Sequence, residues 1–276
     1  MKQLFDQFSS RTSKIITDAY STSFSLGILY IDKRIRGDIY AIYGFVRVAD
    51  EIVDSFHGYD KKTLLENFKA ETLEALDKRI SLNPILNSFQ KTYHNYNIQY
   101  ELIELFFQSM EMDLKRTIYD TDSYEKYILG SAEVVGLMCL HVFTEKNMEK
   151  YEELKPFAMK LGSAFQKVNF LRDLKDDYHL LGRTYFPNLN LMEFNPQSKR
   201  QIEQDIETDF AMALPGIEKL PRSSRMGVYL AYIYYRSLFS KIKRLPVQGL
   251  LRKRVRINNG KKLGLMINIL LQKKWA

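Results

Sequence analysis

The chain is poor in features that would point outside the cell or across a bilayer. Of its 276 residues one is cysteine, Cys139, so no intramolecular disulfide can form. The opening MKQLFDQFSSR lacks the apolar core of a signal peptide, and no run of about 18 uninterrupted apolar residues occurs. A reducing, cytoplasmic setting is the expectation, and a membrane-spanning helix is not. Also missing are a glycine-rich P-loop, a protein-kinase signature and a nicotinamide-binding fingerprint, which argues against the common nucleotide chemistries. Alternating apolar and polar runs bounded by Asn-Gly or Asp-Gly turns are absent, which argues against sheets. Acidic residues stop at Glu218. From Lys219 to Lys274 there are 15 basic side chains and no acid, while the first 218 residues carry 26 basic against 33 acidic, a net charge of −7. That asymmetry fits an anionic partner, either a membrane leaflet, a polyphosphate or a nucleic acid, and equally a solvated basic tail. No nucleic-acid docking motif accompanies it, so no nucleic-acid partner is expected.

What the chain has is helical spacing. Its 45% apolar content is enough to build a core. Leucine, isoleucine, lysine, glutamate and tyrosine recur three and four residues apart nearly throughout. The spacing predicts an all-α fold with helices over roughly 8–30, 35–56, 61–78, 83–95, 98–117, 122–144, 148–179, 197–213, 222–244 and 248–271. Breaks are expected at Gly58, Pro84, Gly182 with Pro187, Pro196, Pro215, Pro221 and Pro246. No flexible linker or repeat of fixed period divides the chain, so one domain over 1–276 is expected, with a basic segment from about 219.

Two short acidic runs stand out, Asp50-Glu51-Ile52-Val53-Asp54 and Asp173-Leu174-Lys175-Asp176-Asp177. Each sets two aspartates four residues apart, which stacks them roughly 5–6 Å apart on one helical face. Such a pair repels itself unless a cation sits between the oxygens. On the first helix Tyr43, Arg47, Asp50 and Asp54 share a face, with Ile42, Phe45, Val46, Ala49, Ile52 and Val53 opposite. Taken alone, a solvated amphipathic face with an Arg47/Glu51 pair explains this run as well as metal binding does. The second is sharper: Gln166, Asn169, Asp173 and Asp177 form a stripe of oxygen donors without alternating lysines, which suits Mg²⁺. Phe165 and Phe170 flank it. Arg47, Arg172 and Arg183 nearby point to an anion held jointly by cations and guanidinium forks, with diphosphate the natural candidate.

Several ordered blocks over about residues 18–265 resemble the squalene/phytoene synthase family, in a form most like bacterial phytoene synthases. Tyr20-Ser21-Thr22-Ser23-Phe24 is similar to the family's first block, with tyrosine in the place of a histidine. Tyr43, Arg47, Asp50 and Asp54 match the first aspartate motif in register. Met110-Glu111-Met112-Asp113-Leu114 and Val135-Gly136-Leu137-Met138 match central blocks. Gln166, Asn169, Arg172, Asp173 and Asp177, then Gly182-Arg183 with Tyr185 and Pro187, reproduce the second motif and its trailing loop. Tyr235-Arg236 and Arg254-Val255 fit the C-terminal positions. The chain departs from the pattern at Leu129, where relatives often carry tyrosine, and at Glu133, where glycine is usual. The first departure bears on product identity and leaves the metal site untouched.

The resemblance implies a helical isoprenoid synthase fold with a central active-site cavity. It implies two geranylgeranyl diphosphates condensed through a cyclopropyl diphosphate to phytoene, with two diphosphates released. Mg²⁺, or Mn²⁺, would sit on Asp50, Asp54, Asn169, Asp173 and Asp177, and no NADPH is expected. Catalysis would fall to Asp50, Asp54, Asp173, Asp177 and Tyr235. The substrate would be held by Tyr20, Ser21, Ser23, Phe24, Tyr43, Arg47, Gln166, Arg172, Arg183 and Arg254. Phe24, Phe165, Phe170 and Tyr235 are the motif-adjacent aromatics that could face a carbocation, and each could equally be plain core. So oily a product implies peripheral contact with an anionic membrane surface and hand-off to a carotenoid desaturase. A dehydrosqualene or squalene-type synthase using farnesyl diphosphate, and a catalytically inactive helical assembly protein, are the alternatives.

Overall fold

The computed structural model describes residues 1–115, 118–181, 185–187, 194–252, 254–258, 260, 262 and 264–267, without the side chains of 22–23 and 176–181. The described residues are all-α. In chain order the helices are α1 (Lys2–Tyr20), α2 (Thr22–Leu29), α3 (Lys33–Asp54), α4 (Lys61–Lys78), α5 (Pro84–Tyr96), α6 (Tyr100–Lys115) and α7 (Thr121–Ile128). A π-helical turn, Leu129–Glu133, then leads into α8 (Val134–Phe143). After it come α9 (Met148–Leu181), α10 (Pro196–Lys219), α11 (Arg222–Lys243) and α12 (Val247–Arg252).

Local chemistry accounts for the boundaries that apolar spacing missed. The stretch expected as one helix over 8–30 is split at Ser21, whose backbone is extended and whose hydroxyl accepts the Phe24 N–H at 3.1 Å, capping α2. Pro215 does not end a helix as expected, because α10 runs through it to Lys219. The expected helix over 248–271 is interrupted: α12 ends at Arg252, residues 254–258 are not helical, and the described residues between 260 and 267 are helical again. Gly58 and Pro246 break the chain as predicted, the former with φ of +88°.

α9 and α10 form the closest helix pair, and their seam is charged. Both carboxylate oxygens of Asp209, which is 2% exposed, have donors: Lys160 at 3.2 Å on one, Lys167 and Ser163 at 2.7 Å on the other. Lys167 also reaches Asp205 at 2.6 Å. A buried acid so fully partnered avoids the several kcal/mol that a bare charge would cost. Glycines bring the π turn between its neighbours. A Cβ on Gly130 would lie 2.5 Å from the Leu105 carbonyl oxygen, and one on Gly162 would lie 2.6 Å from that of Ala132. The stretch Thr121–Phe143 is apolar and long enough to cross a membrane, but 56% of its most apolar 18 residues are buried within the fold and its α8 half contributes to the cavity lining.

Candidate functional site

The principal cavity measures about 400 Å³, within the range of small-molecule sites, and has two chemically distinct ends. Its polar end is lined by Tyr20, Ser21, Tyr43, Arg47, Asp50, Gln166, Asn169, Arg172, Tyr235 and Arg254. Its other end is apolar, with Ile31, Leu140, Phe143, Leu154, Phe157 and Leu220 among the lining. Residues from α1, α2, α3, α9, α11 and the segment after α12 thus converge on one mouth.

The first acidic helix delivers its polar face there. Tyr43, Arg47 and Asp50 line the cavity one turn apart, Ile42 and Val46, expected on the opposite face, line it too, and Phe45 and Ala49 are fully buried behind them. Arg47 stands 3.9 Å from Asp50, pairs with Glu51, and lies over the Tyr20 ring at 4.3 Å. The Arg47/Glu51 pair of the surface reading is present, and the same guanidinium lines the cavity. Enclosure and the neighbouring Asp54 push the Asp50 carboxyl up to about 8, against the pull of Arg47. Burial likewise pushes the Tyr43 hydroxyl up to about 12. Asp54 is not among the cavity-lining residues and acts on Asp50 from one turn away.

The second acidic helix supplies a relay of amides. Tyr235 donates to Asn169 Oδ1 at 3.3 Å, Asn169 donates to Gln166 Oε1 at 3.3 Å, and Gln166 reaches Ser131 Oγ at 3.4 Å. This chain crosses the cavity from α11 to the π turn. Asp173 is gripped by two arginines, with Arg172 Nε at 2.9 Å and Arg254 Nε at 2.7 Å. It is held to the cavity's arginines instead of standing open. Among the described residues no three carboxylates form a ready cation cluster. Ser23, Asp177 and Arg183, also expected at the site, lie outside the described side chains.

Above the amides sits an aromatic quartet. Phe165 stacks on Tyr235 at 3.9 Å, and Phe24 touches Tyr43, Tyr235 and Phe165 at 5.6, 5.9 and 6.1 Å between centroids. Phe170 does not belong to it. Its ring faces the opposite side of α9, stacked on Tyr185 at 4.1 Å and 4% exposed, so it is core. The Leu129 side chain also lies off the cavity lining and packs against the core.

One feature went unread in the sequence. Asp113 on α6 is 7% exposed and accepts hydrogen bonds from Tyr127 at 2.7 Å, Tyr185 at 3.1 Å and Tyr119 at 3.2 Å. It ties Tyr185, from the loop after the second acidic helix, to α6 and α7, and its charge is felt at Asp50. Tyr185 comes from 72 residues after Asp113 and the nearer two share no periodic spacing with it, so only the block containing Asp113 hinted at it.

A profile described as squalene/phytoene synthase matches residues 17–261. The 4,4'-diapophytoene synthase of Staphylococcus haemolyticus is 25% identical over 281 residues, which covers 93% of each chain. The chloroplastic phytoene synthase 1 of Zea mays is 27% identical over 268 residues, 90% of this chain and 64% of that longer one. Among solved structures, a dehydrosqualene synthase in complex with a ligand superposes with a TM-score of 0.85 over 98% of both chains, at 20% identity. The squalene synthase HpnC of Alicyclobacillus acidocaldarius gives 0.74 over 88% of this chain and 95% of its own, also at 20%. The fold is that of the helical isoprenoid synthases. The chain belongs to the squalene/phytoene synthase family of head-to-head prenyl transferases.

Proposed function

We propose that the chain joins two geranylgeranyl diphosphates head to head through a cyclopropyl (prephytoene) diphosphate, yielding phytoene, two diphosphates and two protons, one lost in each half-reaction, in a Mg²⁺-dependent reaction of carotenoid biosynthesis. The observation that carries this reading is the cavity itself, with arginines, a carboxylate and amides at one end and an apolar lining at the other.

Mg²⁺, with Mn²⁺ as substitute, fits the donors present. Asp50 is an enclosed carboxyl whose charge Arg47 only partly offsets, and Asn169 adds an amide oxygen at the same mouth. Asp50, Asp54, Asn169, Asp173 and Asp177 would hold the ion. When bound, Mg²⁺ neutralises the departing diphosphate as a Lewis acid. Arg172 and Arg254 shield Asp173 before substrate arrives, then turn their donors to diphosphate oxygens alongside Arg47 and Arg183. Tyr43 and Gln166 orient those oxygens. Tyr20 and Ser21 line the mouth, and Ser23 would join them in holding the substrate. Phe24, Phe165 and Tyr235 exclude water and offer ring faces to the cationic centre. Loss of a proton ends the sequence, so no reductant is needed.

The S. haemolyticus relative, matched over 93% of its length, favours a second reading in which the substrate is a C15 diphosphate. Incubation with Mg²⁺ and each of the C15 and C20 allylic diphosphates tests both. The C20 substrate is expected to give a C40 hydrocarbon. A C30 product alone would establish the second reading, and no hydrocarbon from either would remove both.

A further inference from the structure

The deep end of the cavity is built from residues that neither the carboxylates nor the arginines involve. α9 lines the cavity along one face from Leu154 to Arg172. α8 and the π turn run antiparallel beside it: Ser131 meets Gln166, Ala132 meets Gly162, and Gly136 meets Ala158. That direction brings Phe143 to the Leu154 end, the end remote from Asp173. Phe157 closes it. A Cβ on Gly216 of α10 would fall 2.2 Å from the Phe157 Cβ, so only glycine there lets Phe157 press against the α10 backbone. The Lys219 ammonium stands 5.7 Å from the Phe157 ring centroid, held by Glu153 at 3.0 Å. Phe157 is half-buried, with the cavity on one side and a solvated ion pair on the other.

Building on the proposed function, we infer that Phe157, seated on Gly216, is the end stop of the prenyl channel and sets the longest chain it accepts. Length supports this. From Asn169 to Phe157 is 12 residues of α9 and from Asp173 it is 16, or roughly 18 and 24 Å at about 1.5 Å per residue. A C20 prenyl chain has a backbone of sixteen carbons, and with C–C bonds of about 1.5 Å it extends over about 20 Å. A C15 chain reaches only about 15 Å on the same geometry. The span from the diphosphate-holding residues to Phe157 therefore brackets the C20 chain and exceeds the C15 chain. Truncating Phe157 lengthens the channel toward Lys219; enlarging it shortens the channel.

The test offers C15, C20 and C25 allylic diphosphates in competition, with Mg²⁺, and quantifies the hydrocarbons formed. Phe157→Ala is expected to raise the ratio of C25-derived to C20-derived product on the order of tenfold. Phe157→Trp is expected to raise the C15-derived share over the C20-derived share by a similar factor. A merely loosened fold would not shift the two variants in opposite directions. If Phe157→Ala fails to fold, Phe157→Leu keeps the core contact and shifts in the same sense by less. Unchanged product lengths in variants that still make C40 hydrocarbon overturn the end stop and leave the proposed function standing. No hydrocarbon from the wild type overturns both.

Discussion

Asp50 sits one turn before Asp54 and three residues after Arg47, inside the cavity mouth, and its carboxyl is pushed from 3.8 up to about 8. In the unfolded chain it ionises near the ordinary value, so between about pH 4 and 8 the folded state binds the extra proton. Stability tied to this group is full below pH 4 and is lost as pH rises through 8. In metal-free buffer, Asp50→Asn is therefore expected to melt above the wild type, by a margin that widens from pH 4 to pH 8. Added Mg²⁺ should raise the wild-type Tm and leave that of the variant unmoved. Equal melting at all pH values would mean that Asp50 carries no such burden. The polar face holding Asp50 was legible from spacing alone. The Asp113 hub was not, since hydrogen bonds from residues 119, 127 and 185 leave no periodic trace.

At the scale of elements, most helices could be read from apolar spacing, and the failures have local causes. Ser21 caps a new helix where hydrophobicity continues, and Pro215 is absorbed within α10. The π turn at Leu129–Glu133 could not be foreseen, because its cause is tertiary. It sits between glycines, Gly130 against α6 and Gly162 of α9 against Ala132, and this places Ser131 beside Gln166. Gly162→Ala sets a methyl group against the Ala132 carbonyl and is expected to destabilise the protein by about 1–3 kcal/mol in urea unfolding. It should also lower turnover by displacing the Gln166 amide. A variant as stable as the wild type would mean that α9 and the π turn can separate at little cost.

For the molecule as a whole, the charge asymmetry has a partly internal explanation. Arg236 and Lys243 pair with Glu207, Lys219 with Glu153, and Arg254 with Asp173, so part of the basic segment answers the acids of α9 and α10. Lys261, Lys273 and Lys274 lie outside the described residues. With Lys262 they are expected to hold the enzyme to anionic lipid. Neutralising all four should reduce sedimentation with anionic liposomes at low salt, and undiminished sedimentation would contradict that role. The fold also contains an acid-sensitive group away from the cavity's polar end. His141, 1% exposed and in tilted contact with the Tyr151 ring at 4.1 Å between centroids, is pushed down to about 4 by burial. The unfolded chain protonates it near 6.5, so its stability contribution is present above that value and is lost as pH falls toward 4. The loss amounts to up to roughly 3 kcal/mol. His141→Phe should flatten the acid limb of the Tm profile, and an unchanged limb would assign it to other groups.

That two acidic helices about 120 residues apart face one cavity was suggested only by the company they keep, and that cavity has Arg47, Arg172 and Arg254 around one mouth. Calorimetric titration of inorganic diphosphate in the presence of Mg²⁺ asks whether both walls hold the same ligand. Wild-type protein is expected to bind diphosphate only when Mg²⁺ is present, and Asp50→Asn and Asp173→Asn are each expected to weaken binding by about tenfold or more. Wild-type affinity in either variant would mean that its helix is not a wall of the diphosphate site.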